Sequence, residues 1–133
     1  MSLLRVDGAV RTPRTFDGDA LRALPAQVDD VGTLVRGRVG GAVRLAAVLD
    51  AVGVLDDARS VALVSADGHF TQSAPLASLR DALLVYRLGD GSLPADDGGP
   101  IRFLVPDAPG LVGVDRCTNV KALATITVRR EPA

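Results

Sequence analysis

Five cations in this chain are candidates for holding an anion: Arg36, Arg38, Arg102, Arg116 and Lys121. A guanidinium presents five donors in a rigid fork and an ammonium a mobile point charge, so a convergent set would suit a phosphate, sulfate or carboxylate. Ordinary surface arginines look the same in a sequence, and that alternative stays open here. Other chemistries find fewer supports. His69 is the only histidine and Cys117 the only cysteine. A Ser/His/Asp triad would need His69 as its base, yet His69 follows the Asp67-Gly68 turn and no Gly-x-Ser-x-Gly elbow exists. A half-exposed sheet histidine is the plainer reading. No spacing supports a Cys117/His69 pair. One cysteine and one histidine cannot build a cysteine-based zinc site or a histidine cluster. Asp96-Asp97 and Asp29-Asp30 read as solvated turn residues, and Gly37, Gly40 and Gly41 lack the Lys-Ser/Thr ending of a phosphate loop. The residue types therefore predict no catalytic residue and no metal ligand.

Composition narrows the field further. The chain has 133 residues, 47% hydrophobic and 23% charged, with a net charge of −1. That length and apolar content suit one domain with its own core. Aromatics are 3% of the chain, so Val, Leu, Ile and Ala must fill that core. Fourteen of the fifteen basic residues are arginine, balanced by sixteen acidic ones. An even balance gives no broad positive field, and few aromatics can stack bases, so no nucleic-acid partner is expected. A single cysteine excludes an intrachain disulfide and fits a reducing cytosol. The first residues lack the apolar segment of a signal peptide. Runs such as Ala82–Tyr86 fall far short of the ~20 residues that span a bilayer. The expectation is a cytoplasmic protein with no membrane contact.

The elements that must position the cations read as follows. Leu4–Val10 alternates apolar and polar residues and predicts a strand. Leu21–Leu24 predicts one or two helical turns, with Asp17 or Asp19 as cap and Pro25 as stop. Val28–Val35 predicts a strand weakened by Gly32. Leu45, Val48, Leu49 and Val52 share one helical face, and Gly53 suits the position after the helix. Ser60–Ser65 predicts a buried strand, Asp67-Gly68 a tight turn and His69–Gln72 the returning strand, after which Ser73 caps a short helix with Pro75 in its first turn. Ala82–Arg87, Ile101–Val105 and Val120–Val128 predict three more strands, with irregular chain at Ser92–Pro100 and Asp107–Asp115. The sum is a single β-rich α+β domain of six to eight short strands and two or three short helices over residues 4–129, with a polar tail at 130–133.

The order of these fragments resembles the sulfite-oxidase-like molybdopterin-binding domain family. Leu4–Val10 with Pro13, then Leu21-Arg22-Ala23-Leu24-Pro25, is similar to that family's opening. Val43–Leu49 resembles its strand-to-helix junction, and Val64-Ser65-Ala66-Asp67-Gly68-His69 its Ser-x-Asp-Gly-Tyr hairpin. Ala82–Tyr86 through Leu93-Pro94, and Gly98-Gly99-Pro100-Ile101-Arg102 through Pro106, resemble its long strand, loop and Gly-x-Pro-x-Arg strand. Asn119-Val120-Lys121 with Ile126 resembles the closing Val-Lys-Trp segment. The resemblance covers nearly the whole chain. It implies a mixed α+β fold, a molybdenum ion held by a pterin dithiolene and one cysteine thiolate, and oxygen-atom or electron transfer at that metal. It also implies that Arg102 and Lys121, which match, help hold the cofactor; Arg36 and Arg116 stay candidates from the residue types alone.

The departures fall on the redox features. The stretch where the family places its ligating cysteine is Asp30-Val31-Gly32-Thr33-Leu34-Val35, which has none. The tryptophan of the family's Trp-x-Gly-x-x-Leu motif corresponds to Gly40, the loop histidine to Asp97 and the tryptophan after Lys121 to Ala122. Neither Gly32 nor Thr33 replaces a soft, charged sulfur donor, and a negative Asp97 opposes a neighbouring phosphate. The expectation is a domain that keeps the fold, has lost molybdenum chemistry and acts as a ligand-binding or interaction module without a cofactor. The alternatives are a molybdopterin-dependent oxidoreductase and an enzyme that reuses the pocket for an anionic small molecule. Edge strands leave room for a homodimer.

Overall fold

The computed structural model describes residues 4–33, 40–68, 71–76, 79, 82–89, 91–104 and 121–131. Ten strands and two α-helices lie within them: β1 (Leu4–Gly8), β2 (Arg14–Phe16), α1 (Gly18–Arg22), β3 (Gln27–Val28), β4 (Gly41–Arg44), α2 (Leu45–Val52), β5 (Ser60–Ser65), β6 (Thr71–Pro75), β7 (Leu83–Leu88), β8 (Gly91–Ser92), β9 (Arg102–Leu104) and β10 (Leu123–Arg129). The architecture is the expected small, β-rich mixed domain.

The strands form two sheets. The first runs β2-β1-β10-β5-β6; the second runs β3-β4-β7-β8, with β9 also on β7. β1 and β10 pair in parallel, Arg5 opposite Thr125 and Gly8 opposite Val128; the other pairings are antiparallel. Gly8 closes the parallel pair. It sits at φ +91, and a methyl group there would run into the Val128 backbone, so only glycine lets the two strands approach.

Alternation assigns the faces. In the second sheet Val43, Leu84, Tyr86 and Phe103 turn toward the first sheet and join Leu4, Val6, Leu63, Ile126 and Val128 in the main core. Ala42, Leu83, Val85 and Leu104 turn the other way and form a smaller cluster with Val31 and Leu93. Helix α2 lays Leu45, Val48, Leu49 and Val52 into the main core. Burying side chains of this size yields about 1.5–3 kcal/mol each. Arg44 stands at the N-cap of α2, but its side chain makes no capping bond to the helix; instead the Leu45 N–H donates to the Ala82 carbonyl at 2.8 Å, so tertiary contact satisfies a free N-terminal donor. At the far end Gly53 is left-handed (φ 73) and its N–H reaches the Leu49 carbonyl at 2.9 Å.

Several local expectations need correction. Ser73 and Pro75 do not open a helix; they lie in β6, opposite Ala62 and Ser60. β6 is an edge, and an edge strand accommodates a residue with no N–H to give. Of the predicted Val28–Val35 strand, Val28 alone among the described residues is paired, at the end of β3 (Gln27–Val28), and a 3-10 turn follows at Val31–Thr33; Leu34 and Val35 lie outside the described residues. The Asp30 carboxylate accepts from the Gly32 N–H at 2.9 Å, which competes with extended pairing. β2, β3 and β8, of two or three residues each, raise the strand count above six to eight. They are too short for a period of two to register.

Candidate functional site

Three segments meet at one end of β10. The loop before β9 carries Pro94 through Pro100, with a 3-10 turn at Ala95–Asp97 and a cis Gly99–Pro100 peptide. The turn before β10 carries Lys121 and Ala122, and the third segment is the turn after β5. Backbone hydrogen bonds join them. Ala122 N–H donates to the Gly98 carbonyl at 2.7 Å, Leu123 N–H to the Ile101 carbonyl at 2.8 Å, and Ala66 N–H to the Ala122 carbonyl at 2.7 Å. Within the loop, Gly98 N–H donates to the Ala95 carbonyl at 3.0 Å and Gly99 N–H to the Pro94 carbonyl at 2.9 Å. Strand β9 is thereby tied to the Lys121 turn independently of the sheet ladders.

This stitching brings two of the predicted cations together. Arg102 stands opposite Val85, on the face of the second sheet that carries the smaller apolar cluster. It is half-buried, its Nε is enclosed and its side chain is engaged with the surrounding structure. Lys121 is exposed. Both stems pack on the bare Cα of Gly98: a methyl group there would lie 2.8 Å from Arg102 Cδ and 3.3 Å from Lys121 Cγ. A partly desolvated guanidinium beside a mobile ammonium is an arrangement that fits an oxyanion.

The remaining candidates divide differently. Arg36, Arg38, Arg116, Cys117 and His69 lie outside the described residues. Asp96 is exposed in the 3-10 turn, and Asp30 caps its own turn, in keeping with solvated loop carboxylates. Asp29, also exposed, pairs with Arg87 Nη2 at 3.0 Å. Among the described residues no group of three or more His, Cys, Asp or Glu is placed to hold a metal, and no helix is long and apolar enough to cross a membrane.

Two features escaped the residue-type reading of the site. Gly98 belongs to it through what it lacks; the signal was the paired glycines before Pro100, which mark close backbone approach. Arg87 is the other. A register shift between Gly41 and Ala42 turns its guanidinium over Gly41 and to 5.7 Å from the centre of the Tyr86 ring. Tyr86 first, and Asp29 after it, hold the Arg87 pKa above its ordinary value. Gly37, Gly40 and Gly41 mark a loop or a bulged edge in the residue string, but not the side chain that lies over it.

Comparison with known proteins agrees with the architecture. The family model described as oxidoreductase molybdopterin binding domain matches residues 39–133. The crystal structure of the sulfane dehydrogenase SoxCD from Paracoccus pantotrophus is similar in fold, with a TM-score of 0.68 at 19% sequence identity. The match covers 96% of this chain and 38% of that one, so the chain spans well under half of the SoxCD chain's length. No curated protein matches the sequence.

Proposed function

The chain belongs to the oxidoreductase molybdopterin binding domain family, and on that premise we propose that it keeps the family's anion-holding face but lacks the metal-ligating thiolate, serving as a ligand-binding or interaction module. The observation that carries this reading is the convergence of Arg102 and Lys121 on Gly98. Those two cations also match the family's pattern, and Arg36 and Arg116 extend the proposed set. The donor chemistry is uneven. Two cations suit the phosphate end of a pterin cofactor, whereas the stretch Asp30–Val35 offers no sulfur where the family's ligand stands. Molybdenum in these enzymes depends on that soft donor for its coordination and potential. A small anionic molecule bound at the same face, in a cytoplasmic protein, completes the proposal.

A second reading draws on the same pair of cations: a molybdopterin-dependent oxidoreductase in which the cofactor is held through its phosphate. The two readings separate in one experiment. Protein made in a host that synthesises the cofactor is purified, its metals are measured by elemental analysis, and its pterin is measured by fluorescence after oxidation. The module predicts neither molybdenum nor pterin at stoichiometric level. Tightly held molybdenum would overturn it in favour of the oxidoreductase.

A further inference from the structure

Strand β6 ends the first sheet, and among the described residues nothing pairs with its outer side. One bond tells which backbone groups it leaves there. The Leu76 N–H donates to the Arg59 carbonyl at 3.0 Å, and β6 runs antiparallel to β5 with Val61 opposite Ala74, Ala62 opposite Ser73 and Leu63 opposite Gln72. In such a ladder residues alternate between facing the partner strand and facing away. Counting back from Leu76, Ala74 and Gln72 face β5, whereas Thr71, Ser73 and Pro75 turn their backbone groups outward. Two details agree with this count. Pro75 takes an outward place, where its missing N–H breaks no bond to β5. The Ser73 carbonyl is open to a side chain, receiving Gln72 Nε2 at 3.4 Å.

Folded proteins guard such edges with charge, brevity or a bulge. The other edge strands here follow that rule: β3 and β8 have two residues each, and β2 and β9 have three, each with an arginine. β6 has five residues, Thr-Gln-Ser-Ala-Pro, with no charge and no register shift against β5. Thr71 and Ser73 are exposed. The open groups stand on either side of Gln72, so the edge is its own complement. Turned about a two-fold axis at Gln72, a second β6 sets its Ser73 opposite Thr71 and its Thr71 opposite Ser73. Each outward N–H then meets a carbonyl, a Thr–Ser pair forms on the sheet face at each crossing, and no like charges meet. We propose that β6 pairs antiparallel with β6 of a second copy of this chain, centred on Gln72, to make one continuous sheet across a two-fold dimer. The proposal is independent of the anion-binding reading above. Pro75 has no N–H to extend the ladder, so the association is weak, with a dissociation constant on the order of 100 µM.

Sedimentation equilibrium of the full chain, from about 10 µM to about 1 mM, tests this. The mass should rise with concentration from that of one chain toward that of two. Ser73→Pro removes an outward N–H at a position where pairing with β5 uses none, as at Pro75. It should raise the dissociation constant at least about ten-fold and keep the melting temperature within about 5 °C of the wild type. Gln72→Cys tests the register. Residues at position 72 face each other across the axis as a non-hydrogen-bonded pair, with Cα atoms about 4.5 Å apart, a distance a disulfide spans. Under oxidation that variant should cross-link into dimers well above the background of the wild type, which carries Cys117 alone. A wild type that stays single across the range overturns the pairing and leaves the edge to an extended segment of another protein. A folded Ser73→Pro that associates as the wild type does overturns it too, as does Gln72→Cys that cross-links no faster than the wild type. If Ser73→Pro does not fold, the cross-linking comparison decides.

Discussion

Ala122 donates its N–H to the Gly98 carbonyl at 2.7 Å while holding a left-handed backbone at φ 51. The bond and the strain belong together. Only that conformation lets residue 122 serve Gly98 on one side and accept from Ala66 N–H on the other. A β-carbon in the left-handed region costs about 1 kcal/mol.

Replacing Ala122 with glycine should therefore stabilise the fold, by up to about 0.5 kcal/mol once the larger entropy of the unfolded glycine, about 0.4–1 kcal/mol, is set against that strain. A chemical-denaturation midpoint that rises with unchanged slope supports this. A lower midpoint would mean that the methyl group packs better than its backbone strain suggests.

Tyr86 and Gln27 form a second linked unit. The Tyr86 hydroxyl donates to Gln27 Oε1 at 2.6 Å, and Gln27 Nε2 donates to the Leu21 and Leu24 carbonyls at 2.8 and 3.0 Å. The Leu21 carbonyl also receives the Leu24 N–H at 3.3 Å, and the Leu24 carbonyl lies beyond the end of α1, where the helical ladder stops. Tyr86→Phe should cost about 1–2 kcal/mol, because it leaves a half-buried amide oxygen unsatisfied. The same denaturation measurement checks it, and amide exchange in residues 18–24 should quicken.

Two glycines in crowded surroundings should respond to the same substitution by very different amounts. Gly8→Ala meets the main chain of Val128, 2.9 Å from its nitrogen, at φ +91; neither partner can step aside, and a loss above about 3 kcal/mol is expected. The atoms nearest the methyl of Gly41→Ala belong to the tip of Arg87, a side chain that can swing away. Its cost should stay near ~1 kcal/mol, the value of a partly exposed ion pair and a cation–π contact. Equal losses in the two variants would contradict this ranking.

The Arg87 contribution should not vary with pH in the ordinary range. Its folded pKa is raised above the unfolded one, so its stabilisation is complete below the unfolded value and fades only as pH climbs through the folded value, far above neutrality. Arg87→Met should thus lower stability by the same amount, about 0.5–1 kcal/mol, at about pH 6 and at about pH 9. A difference that changed across that interval would implicate another group in the Asp29 contact.

How far the residue string reached depended on how local each signal was. α2 was legible because Leu45, Val48, Leu49 and Val52 repeat on one face and Gly53 ends them, all within nine positions. β5 and β7 were legible from their apolar runs, and β10 from its alternating, β-branched residues. The Ser73–Pro75 helix failed because a cap signal was weighed without knowing that β5 would offer a partner at the sheet edge; pairing decided the outcome. At the site, Arg102 and Lys121 were readable as cation types in a familiar order. Their shared seat on Gly98 was not, since it arises from a hydrogen bond between residues 98 and 122 that no spacing rule contains. The Arg87 arrangement was hidden for a similar reason: the glycines at 37, 40 and 41 mark a loop or a bulged edge, but which side chain of the neighbouring strand lies over it depends on pairing.

The parallel pairing of β1 with β10 places strict demands on the order of events during synthesis. The Asp7 side chain accepts from the Thr127 hydroxyl across 120 positions of chain, and β10 separates β1 from β5 in the sheet. A ribosome-bound polypeptide therefore holds two unmatched ladder edges until residues 123–129 have left the exit tunnel. Such long-range closure slows acquisition of the native state, and in the interval the exposed strands of β1 and β5 are the segments a chaperone would shield.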